Sequence, residues 1–326
     1  MVTDSWAREA VPFTDAFQDG VVFLVWGTEY SDAQTQAFFD RLLKTKTRHL
    51  MIPFFGCQET IHSNDVHPCK VFPRARYIRQ AELAQEKGFS VTFLPIVVTD
   101  TLEWRGFFDP TDPARWFFTY TQWLKGVAAD AQAMGMKEFV VGTEFKKLFK
   151  DGARWRKLIQ EIRRDSFSGP LIVTANWDEM DLDFWDEADA IGFSAYFPLS
   201  AAKNPSPEAL SLAWAKHRER LVALSKKWKR PLHITEVGYR SVTYAAERPW
   251  ELPKAGVEDV SDVPLQTACF EAFSQAWGTE RNLVRANFWS TGELDLAGFS
   301  ISYEFLNKPA ESVLDRFFDL RAKLNP

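Results

Sequence analysis

Cysteine is scarce in this sequence, and no long apolar run occurs in it. The three cysteines, Cys57, Cys69 and Cys269, are an odd number without the spacing of a metal site. Cys57 and Cys69 could pair across a loop, but we prefer three free thiols in a reducing compartment, which favours the cytoplasm. No segment approaches the about 20 consecutive apolar residues of a membrane helix, so we expect no membrane partner.

Other signals are also missing. Charged residues interrupt the first 15 positions, so we expect no signal peptide in this chain, although a secreted protein whose signal had been removed would look the same. The net charge is −5 and no basic run alternates with aromatic residues, which argues against a nucleic-acid partner. Neither GxGxxG nor GxxxxGK followed by Ser or Thr occurs, so no nucleotide phosphate loop is predicted.

Aromatic residues, in contrast, are abundant. They make up 15% of the chain, with 13 Trp and 28 Phe. Some of these must form the core, but Trp is also a common platform for the flat apolar faces of sugar rings. A length of 326 residues suits one (β/α)8 barrel with insertions. We therefore expect residues 1–326 to form a single domain, and the protein to be a monomer.

Short apolar runs alternate with helical patterns along the whole chain, which indicates a parallel sheet buried on both faces. Strands are predicted at residues 20–27, 49–56, 90–98, 138–144, 171–177, 190–198, 231–239 and 284–292. Helices are predicted at residues 31–46, 74–87, 112–135, 153–165, 181–187, 206–228, 262–277 and 312–324. A doubly wound open sheet is the rival fold, but it usually carries a glycine-rich phosphate loop. We therefore predict an α/β fold of the (β/α)8 TIM-barrel type.

The carboxyl ends of the strands form the catalytic face of such a barrel. Polar or aromatic residues end the predicted strands: Trp26, Gln58, Glu59, Thr99, Asp100, Glu144, Asn176, Trp177, Tyr196, Glu236 and Trp289. Glu144 and Glu236, from the fourth and seventh strands, are expected to converge across the mouth. Retaining glycoside hydrolysis needs such a pair, with the carboxyls about 5–5.5 Å apart. The alternative is that each Glu forms an ion pair on the barrel rim.

The segments GTEF (142–145) and ITEVGY (234–239), with the strand-8 Trp289, resemble glycoside hydrolase family 113, a clan A family of β-1,4-mannanases. The resemblance implies that Glu144 is the acid/base and Glu236 the nucleophile. It further implies that Tyr196 hydrogen-bonds the nucleophile and that Trp289 lies under the sugar at the cleavage point. Glu144 must then start protonated, which its apolar surroundings and the charge of Glu236 would favour. The chemistry requires neither metal nor organic cofactor.

One position departs from the clan pattern. Many members place an Asn that grips the sugar 2-hydroxyl immediately before the acid/base, and this sequence has Thr143. Either Asn176 supplies that contact or the preference at C2 differs. We therefore expect an oligo- or polysaccharide partner, β-mannan first, with endo action. Another β-linked glucan or an amino-sugar polymer is the alternative substrate, and a barrel that only binds carbohydrate is the alternative function.

The remaining candidates have competing interpretations. Trp26, Trp104 and Trp177 are expected to bind substrate or to pack in the core. Tyr196 and Trp289 could likewise be core residues. Three further groups are interpreted as structural: the rim carboxylates Glu29, Glu59 and Glu293, the loop cluster of His62, Asp65, His67 and Cys69, and the acidic run over 181–189, expected to be a solvated helix face. A phosphate-binding aldolase is disfavoured because no strand ends in Lys.

Overall fold

The computed structural model describes residues 8–24, 30–253, 258–292 and 301–324. Eight parallel strands form a curled sheet, and a short antiparallel strand, β3, extends its edge. The strands are β1 (Gly20–Phe23), β2 (His49–Gln58), β3 (His67–Pro68), β4 (Ser90–Thr99), β5 (Phe139–Thr143), β6 (Leu171–Asn176), β7 (Ala190–Ser194), β8 (Leu232–Val237) and β9 (Leu283–Thr291). The prediction of a (β/α)8 barrel is confirmed.

Helices follow most of the barrel strands and cover the outside of the sheet. They are α1 (Asp32–Leu42), α2 (Arg74–Glu86), α3 (Pro113–Ala133), α4 (Gly152–Asp165), α5 (Pro207–Trp228), α6 (Val263–Trp277) and α7 (Pro309–Ala322). Their starts follow the sequence signals, because Ser31, Asp112 and Ser206 each accept a hydrogen bond from the first helical turn. Within the described residues, no helix has both the length and the apolarity to cross a membrane.

The backbone ladder runs in the order β2, β1, β9, β8, β7, β6, β5, with β4 on the other side of β2. It leaves β4 and β5 as the two end strands, which stand side by side where the barrel closes. A hydrogen bond of 3.3 Å from the Thr92 hydroxyl to the Glu138 carboxylate joins the two strands near their amino ends. We call this boundary the β4–β5 seam.

The core lies between the apolar strands and the inner faces of the helices. Many of the Trp residues lie in this core, where Trp116, Trp155, Trp185, Trp214 and Trp277 are fully buried. Trp155, for example, stacks on Phe145 at 5.7 Å and on Phe184 at 6.1 Å between ring centroids. The richness in Trp is therefore explained first by packing, and only a few Trp residues remain near the mouth.

A buried charge cluster closes the amino-terminal end of the barrel. The Glu138 carboxylate binds Arg285 Nε at 3.1 Å and His233 Nε2 at 2.9 Å, and all three side chains are fully buried. Arg285 also pairs with Asp15 at 2.8 Å. Burial by itself raises the pKa of Glu138, but the charge of Arg285 and the hydrogen bond with His233 outweigh it and lower that pKa. Paired charged and polar side chains therefore close the amino-terminal end of the barrel, which we call its floor, whereas the surrounding strands are apolar.

The prediction of a helix at 181–187, with a solvated acidic face, is wrong. The segment forms turns between β6 and β7, and Phe184 and Trp185 are fully buried in it. Asp189 is also fully buried, and its carboxylate accepts hydrogen bonds from Arg8, Arg163 and the amide of Leu171. Asp186, Glu187 and Asp189 therefore pair with arginines, while the first two acidic residues of the run are exposed. Buried aromatic residues fix the segment in a non-helical path.

The expectation of three free thiols is also wrong. Cys57 and Cys69 form a disulfide with 5.1 Å between their Cα atoms, and Cys269 is a buried free thiol. The cause is β3, which pairs antiparallel with the end of β2 and sets Cys57 opposite His67. A strand of two residues that includes Pro68 gives no periodic signal, so the sequence does not reveal the pairing.

Candidate active site

Glu144 follows directly on β5 and is 5% exposed at the carboxyl-terminal mouth of the barrel. Its φ is 56°, in the left-handed region that non-glycine residues rarely adopt. Its amide donates to the carbonyl of Thr174 at 2.8 Å, which fixes this turn against β6. A strained backbone held by its surroundings is common where a side chain must be aimed, and here it aims a carboxylate.

Two side chains from the segment after β4 bind the Glu144 carboxylate. Trp104 Nε1 donates to Glu144 Oε2 at 2.9 Å, and Arg105 pairs with the same oxygen at 2.9 Å. Arg105 is held in place because its Nε donates to the carbonyl of Thr143 at 3.1 Å. Glu144 therefore forms an ion pair with an arginine, as the alternative interpretation expected. The pair lies within the mouth of the barrel and not on its outer rim.

Glu236 lies on β8 and is 3% exposed. Its Oε2 accepts a hydrogen bond of 3.0 Å from the Tyr196 hydroxyl, while its Oε1 is buried without a hydrogen-bond partner in the described residues. Burial and the charge of Glu236 raise the pKa of Tyr196 well above its usual value, so the phenol keeps its proton and donates it. The Tyr196–Glu236 hydrogen bond that the resemblance implied is present.

The two carboxyls influence each other electrostatically. Burial first, and then the negative charge of Glu144, raise the pKa of Glu236 to about 8. Arg105 and the Tyr196 hydroxyl act in the opposite direction on the same group. The surroundings therefore oppose ionisation of Glu236, and the expected location of the proton on Glu144 stays a prediction.

Strand register places a layer of polar side chains across this part of the barrel. Asn176 of β6 pairs with Ser194 of β7, and Ser194 pairs with Glu236 of β8. Asn176 is 8% exposed, and its amide donates to Asp178 at 2.5 Å. Thr143 is fully buried, and its hydroxyl has no hydrogen-bond partner in the described residues. Asn176 is thus nearer to solvent than Thr143, and whether it or a different preference at C2 compensates for Thr143 stays a prediction.

The predicted aromatic contacts are placed unequally. Trp289 lies near the end of β9 and is half-buried, with a cis peptide bond to Ser290. Trp104 is half-buried too, but its indole edge is committed to Glu144 and its ring lies against Phe107 at 5.1 Å. Trp177 is half-buried beside Asn176. Trp26, like Glu29 and Glu293, lies outside the described residues.

Trp250 is an aromatic residue at the mouth that the sequence analysis missed. It is 42% exposed and stacks on Trp177 at 5.1 Å between ring centroids, with 25° between the ring planes. Its segment is fixed by a buried ion pair, Arg240–Asp259, at 2.5 Å, and by the Tyr244 hydroxyl, which donates to Asp259 at 2.7 Å. The only sequence signal was the length of the connection after β8, which sets a loop beside the cleft.

Arg105 is the second residue that the sequence analysis missed. It follows Trp104, which was a candidate, but it begins a single 3₁₀ turn (Arg105–Phe107) after β4, which is too short for periodicity to predict the direction of a side chain. Close packing decides the position of the neighbouring Trp104 ring. A Cβ at Gly106 would meet this ring at 2.3 Å, so the indole can fold back only because residue 106 has no side chain.

The loop cluster with possible metal ligands is committed to other partners. Cys69 is in the disulfide, Asp65 pairs with Arg115 at 2.8 Å, and His62 Nδ1 contacts the carbonyl of Asp109 at 2.9 Å. Elsewhere in the described part of the chain, no group of three or more His, Cys, Asp or Glu side chains is arranged to hold a metal ion.

Two buried carboxyls lie at the mouth of a closed parallel barrel, and the charge of one affects the ionisation of the other. This is the arrangement expected of a (β/α)8 glycoside hydrolase. The sequence model of Glycoside Hydrolase Family 113 matches residues 23–289. The chain therefore belongs to this family and is a glycoside hydrolase, as its GTEF and ITEVGY segments indicated. A comparison with curated protein sequences gives no match.

Solved structures with the same fold include other members of the family. The GH113 β-mannanase AaManA from Alicyclobacillus acidocaldarius, in complex with ManMIm, has a TM-score of 0.81 at 22% identity over 96% of this chain and 98% of that one. A complex of a GH113 β-1,4-mannanase has a TM-score of 0.79 at 20% identity, over 96% and 99% of the two chains. GH5_18 from Streptomyces cattleya, in complex with GlcNAc, is more distant, with a TM-score of 0.64 at 14% identity, over 95% and 82%.

Proposed function

We propose that this glycoside hydrolase cleaves β-1,4-mannan or mannooligosaccharides, with endo action and net retention of the anomeric configuration. The observation that carries the proposal is the pair of buried carboxyls at one mouth of the barrel. Glu144 directly follows β5, Glu236 lies on β8, and the charge of Glu144 raises the pKa of Glu236. The family membership and the mannanase activity of the structurally similar GH113 proteins support the choice of substrate.

In the proposed first step, the Glu236 carboxylate attacks the anomeric carbon and forms a glycosyl ester. The bond between that carbon and the leaving oxygen breaks, and protonated Glu144 gives its proton to this oxygen. In the second step Glu144 takes a proton from water, the resulting hydroxyl attacks the anomeric carbon, and the ester bond breaks. Glu236 is released as carboxylate and Glu144 is again protonated, so the cycle needs no metal or cofactor.

A screen of hydrolysis on mannan, glucan and chitosan oligomers tests the substrate, with the anomer of the first product read by NMR. We expect mannan oligomers to be cut internally and the first product to be the β-anomer. Glucan and chitosan are included because Thr143, the residue before the acid/base, is fully buried and replaces the Asn that many clan members use to contact the sugar 2-hydroxyl. A preference for glucan or chitosan would make that polymer the substrate. Inverted product, or binding without cleavage, would refute the proposed reaction.

The roles of the two carboxyls are tested with Glu236→Ala and Glu144→Ala. Glu236→Ala should lower kcat by about 10⁴-fold or more with little change in stability, because it removes the nucleophile. On an activated aryl β-glycoside, azide should restore turnover in both variants, giving the β-glycosyl azide with Glu144→Ala and the α-glycosyl azide with Glu236→Ala. The opposite pairing of products would exchange the two roles.

We propose that the protein works in an oxidising compartment. The disulfide Cys57–Cys69 supports this, since structural disulfides persist where thiols are not kept reduced. It replaces the expectation of a cytoplasmic location, which depended on free thiols. A monomeric state remains a prediction.

A further inference from the structure

Trp250 is a large apolar side chain that keeps much of its surface open at the mouth of the barrel. It is 42% exposed, although one face of its indole stacks on Trp177 at 5.1 Å between ring centroids. Trp177 is half-buried, and its ring also contacts the ring of Phe197 at 6.1 Å between centroids. Protein therefore covers one face of Trp250, and its exposed surface belongs to the other face and the ring edge. We call the stacked pair of Trp177 and Trp250 the tryptophan platform.

The backbone on both sides of Trp250 is fixed by side chains from within the protein. The Tyr303 hydroxyl donates to the carbonyl of Pro249 at 2.5 Å, and Arg240 Nη1 donates to the carbonyl of Glu251 at 3.4 Å. Tyr303 and Arg240 are both buried, so the path of the loop is set by groups that solvent does not reach. A side chain that is already ordered loses little conformational entropy when a ligand binds to it. Trp250 is therefore a preorganised binding surface.

The same contacts place Trp250 near Glu236 but not next to it. The Tyr303 ring lies 6.3 Å from the Tyr196 ring between centroids, and the Tyr196 hydroxyl donates to Glu236 at 3.0 Å. Two phenol side chains therefore stand between Glu236 and the backbone that carries Trp250. A sugar ring on Trp250 would be a further unit of a chain whose cleaved unit lies at Glu236.

Polar groups adjoin the tryptophan platform. Trp177 is followed by Asp178, whose carboxylate accepts a hydrogen bond from the Asn176 amide at 2.5 Å and pairs with Lys146 at 2.7 Å. The side chains of Asp178 and Lys146 are both partly exposed, so each can also meet a hydroxyl group of a ligand. Sugar rings have apolar faces and edges that carry hydroxyl groups. An aromatic surface with a few polar groups beside it is suited to both.

We propose that Trp250 binds a sugar unit of the substrate remote from the cleavage point, so that the enzyme selects long chains over short ones. The inference rests on the proposed function and extends it from the kind of polymer to its length. Trp177 is a positioning residue, because it covers the inner face of Trp250 and holds the indole in place. Binding energy from a remote unit can be used to lower the barrier at the reacting bond, so the preference appears in kcat/KM.

The test compares kcat/KM on mannohexaose with kcat/KM on an aryl β-mannoside, because only the longer substrate extends to the tryptophan platform. Trp250→Ala should lower the ratio of the two values about 10-fold, the effect expected from losing one apolar contact face. Trp250→Phe keeps an aromatic ring and should recover part of the ratio. If Trp250→Ala lowers both values equally, Trp250 only supports the loop and the proposal is wrong.

Further variants test the positioning role and provide the control. Trp177→Leu removes the ring behind Trp250 and should lower the ratio, whereas Trp177→Phe should return it towards the original value. Phe118→Ala is the matched control, because it removes an exposed aromatic ring from α3 on the outside of the barrel and should keep the ratio. An equal fall of the ratio in Phe118→Ala would contradict the role assigned to Trp250.

A binding measurement without turnover separates this inference from the proposed function. Calorimetric titration with mannohexaose compares Glu236→Ala, which lacks the proposed nucleophile, with the double variant Glu236→Ala and Trp250→Ala. We expect the double variant to bind about 10-fold more weakly. Equal affinities, or no binding by either variant, would overturn the inference even if mannan is hydrolysed. Weaker binding by the double variant, with no polysaccharide cleaved by the native protein, would uphold the inference and refute only the proposed function.

Discussion

Single residues at the mouth show how small side chains control large ones. Trp104 reaches Glu144 because Gly106 leaves room for its ring, and Arg105, between them, is thereby directed towards the same carboxylate. None of these three residues lies in a strand or a long helix. Their positions depend on contact with one another, so a substitution of Gly106 should disturb the Glu144 carboxylate that Trp104 and Arg105 bind.

Gly106→Ala tests this dependence. The added methyl group would overlap the Trp104 ring, which is half-buried and can swing outwards, so the hydrogen bond to Glu144 should be lost. We expect kcat/KM to fall by about 10 to 100-fold, since misplacing a catalytic group by about 1 Å has effects of that size. The melting temperature should change little, because the ring is displaced towards solvent.

Gly126→Ala is the matched control for this substitution. Gly126 lies inside α3, where an added Cβ meets nothing, so alanine should stabilise the protein slightly and leave kcat/KM as it was. Unchanged activity in Gly106→Ala would show that the Trp104 contact does not matter for turnover.

The sequence was sufficient to find the residues that end regular strands. Glu144, Tyr196, Glu236 and Trp289 were found because a barrel collects the carboxyl ends of its strands at one mouth. Arg105 and Trp250 were not found, because each lies in an irregular connection and is oriented by tertiary contacts.

At the scale of elements, the same division holds. The strands and most helices followed from periodicity and from caps such as Ser31 and Asp112. The acidic run 181–189 carried helix-forming residues, yet burial of Phe184 and Trp185 decided its path. The two-residue strand β3 is too short for any pattern, and it places Cys57 near Cys69 for the disulfide that the sequence analysis considered but did not prefer.

The disulfide joins the end of β2 to the segment after β3, over a separation of 12 residues. Reducing it, or introducing Cys57→Ser with Cys69→Ser, should lower the free energy of unfolding by about 2 to 4 kcal/mol, since a loop of this length is released in the unfolded chain. Urea unfolding with and without reductant measures the difference.

Thiol counting with a chromogenic disulfide reagent provides the control for this experiment. The native protein should show no reactive thiol, because Cys269 is buried and burial raises the pKa of its thiol. Two thiols should become reactive after mild reduction. If reductant leaves both the thiol count and the urea midpoint unchanged, the Cys57–Cys69 cross-link is absent.

At the scale of the whole molecule, a buried carboxyl outside the Glu144–Glu236 pair links stability to pH. Glu304 is 2% exposed, and burial raises its pKa to about 7 although Thr291 and the amides of Phe305 and Leu306 donate to it. Its ordinary value is 4.5. The stability that protonated Glu304 contributes is complete below the ordinary pKa, and it is lost as the pH rises towards the folded value.

We therefore expect Glu304→Gln to weaken the loss of stability between pH 5 and pH 8 by about 2 to 3 kcal/mol, since each pKa unit corresponds to about 1.4 kcal/mol. Urea unfolding at the two pH values measures this. Glu82→Gln, which removes a largely exposed carboxyl, should keep the original pH dependence. An identical loss in native protein and Glu304→Gln would contradict the assignment.

The β4–β5 seam has a consequence for how the barrel moves. Its two strands are the ends of the backbone ladder, and side chains tie them at both ends: Thr92 to Glu138 at the floor, and Arg105 to Glu144 and the Thr143 carbonyl at the mouth. Amide protons that face this joint should exchange with solvent sooner than those of β8. A ligand that draws Glu144 away from Arg105 would break the contact at the mouth end of the seam. Binding of a sugar would then also loosen the barrel between β4 and β5.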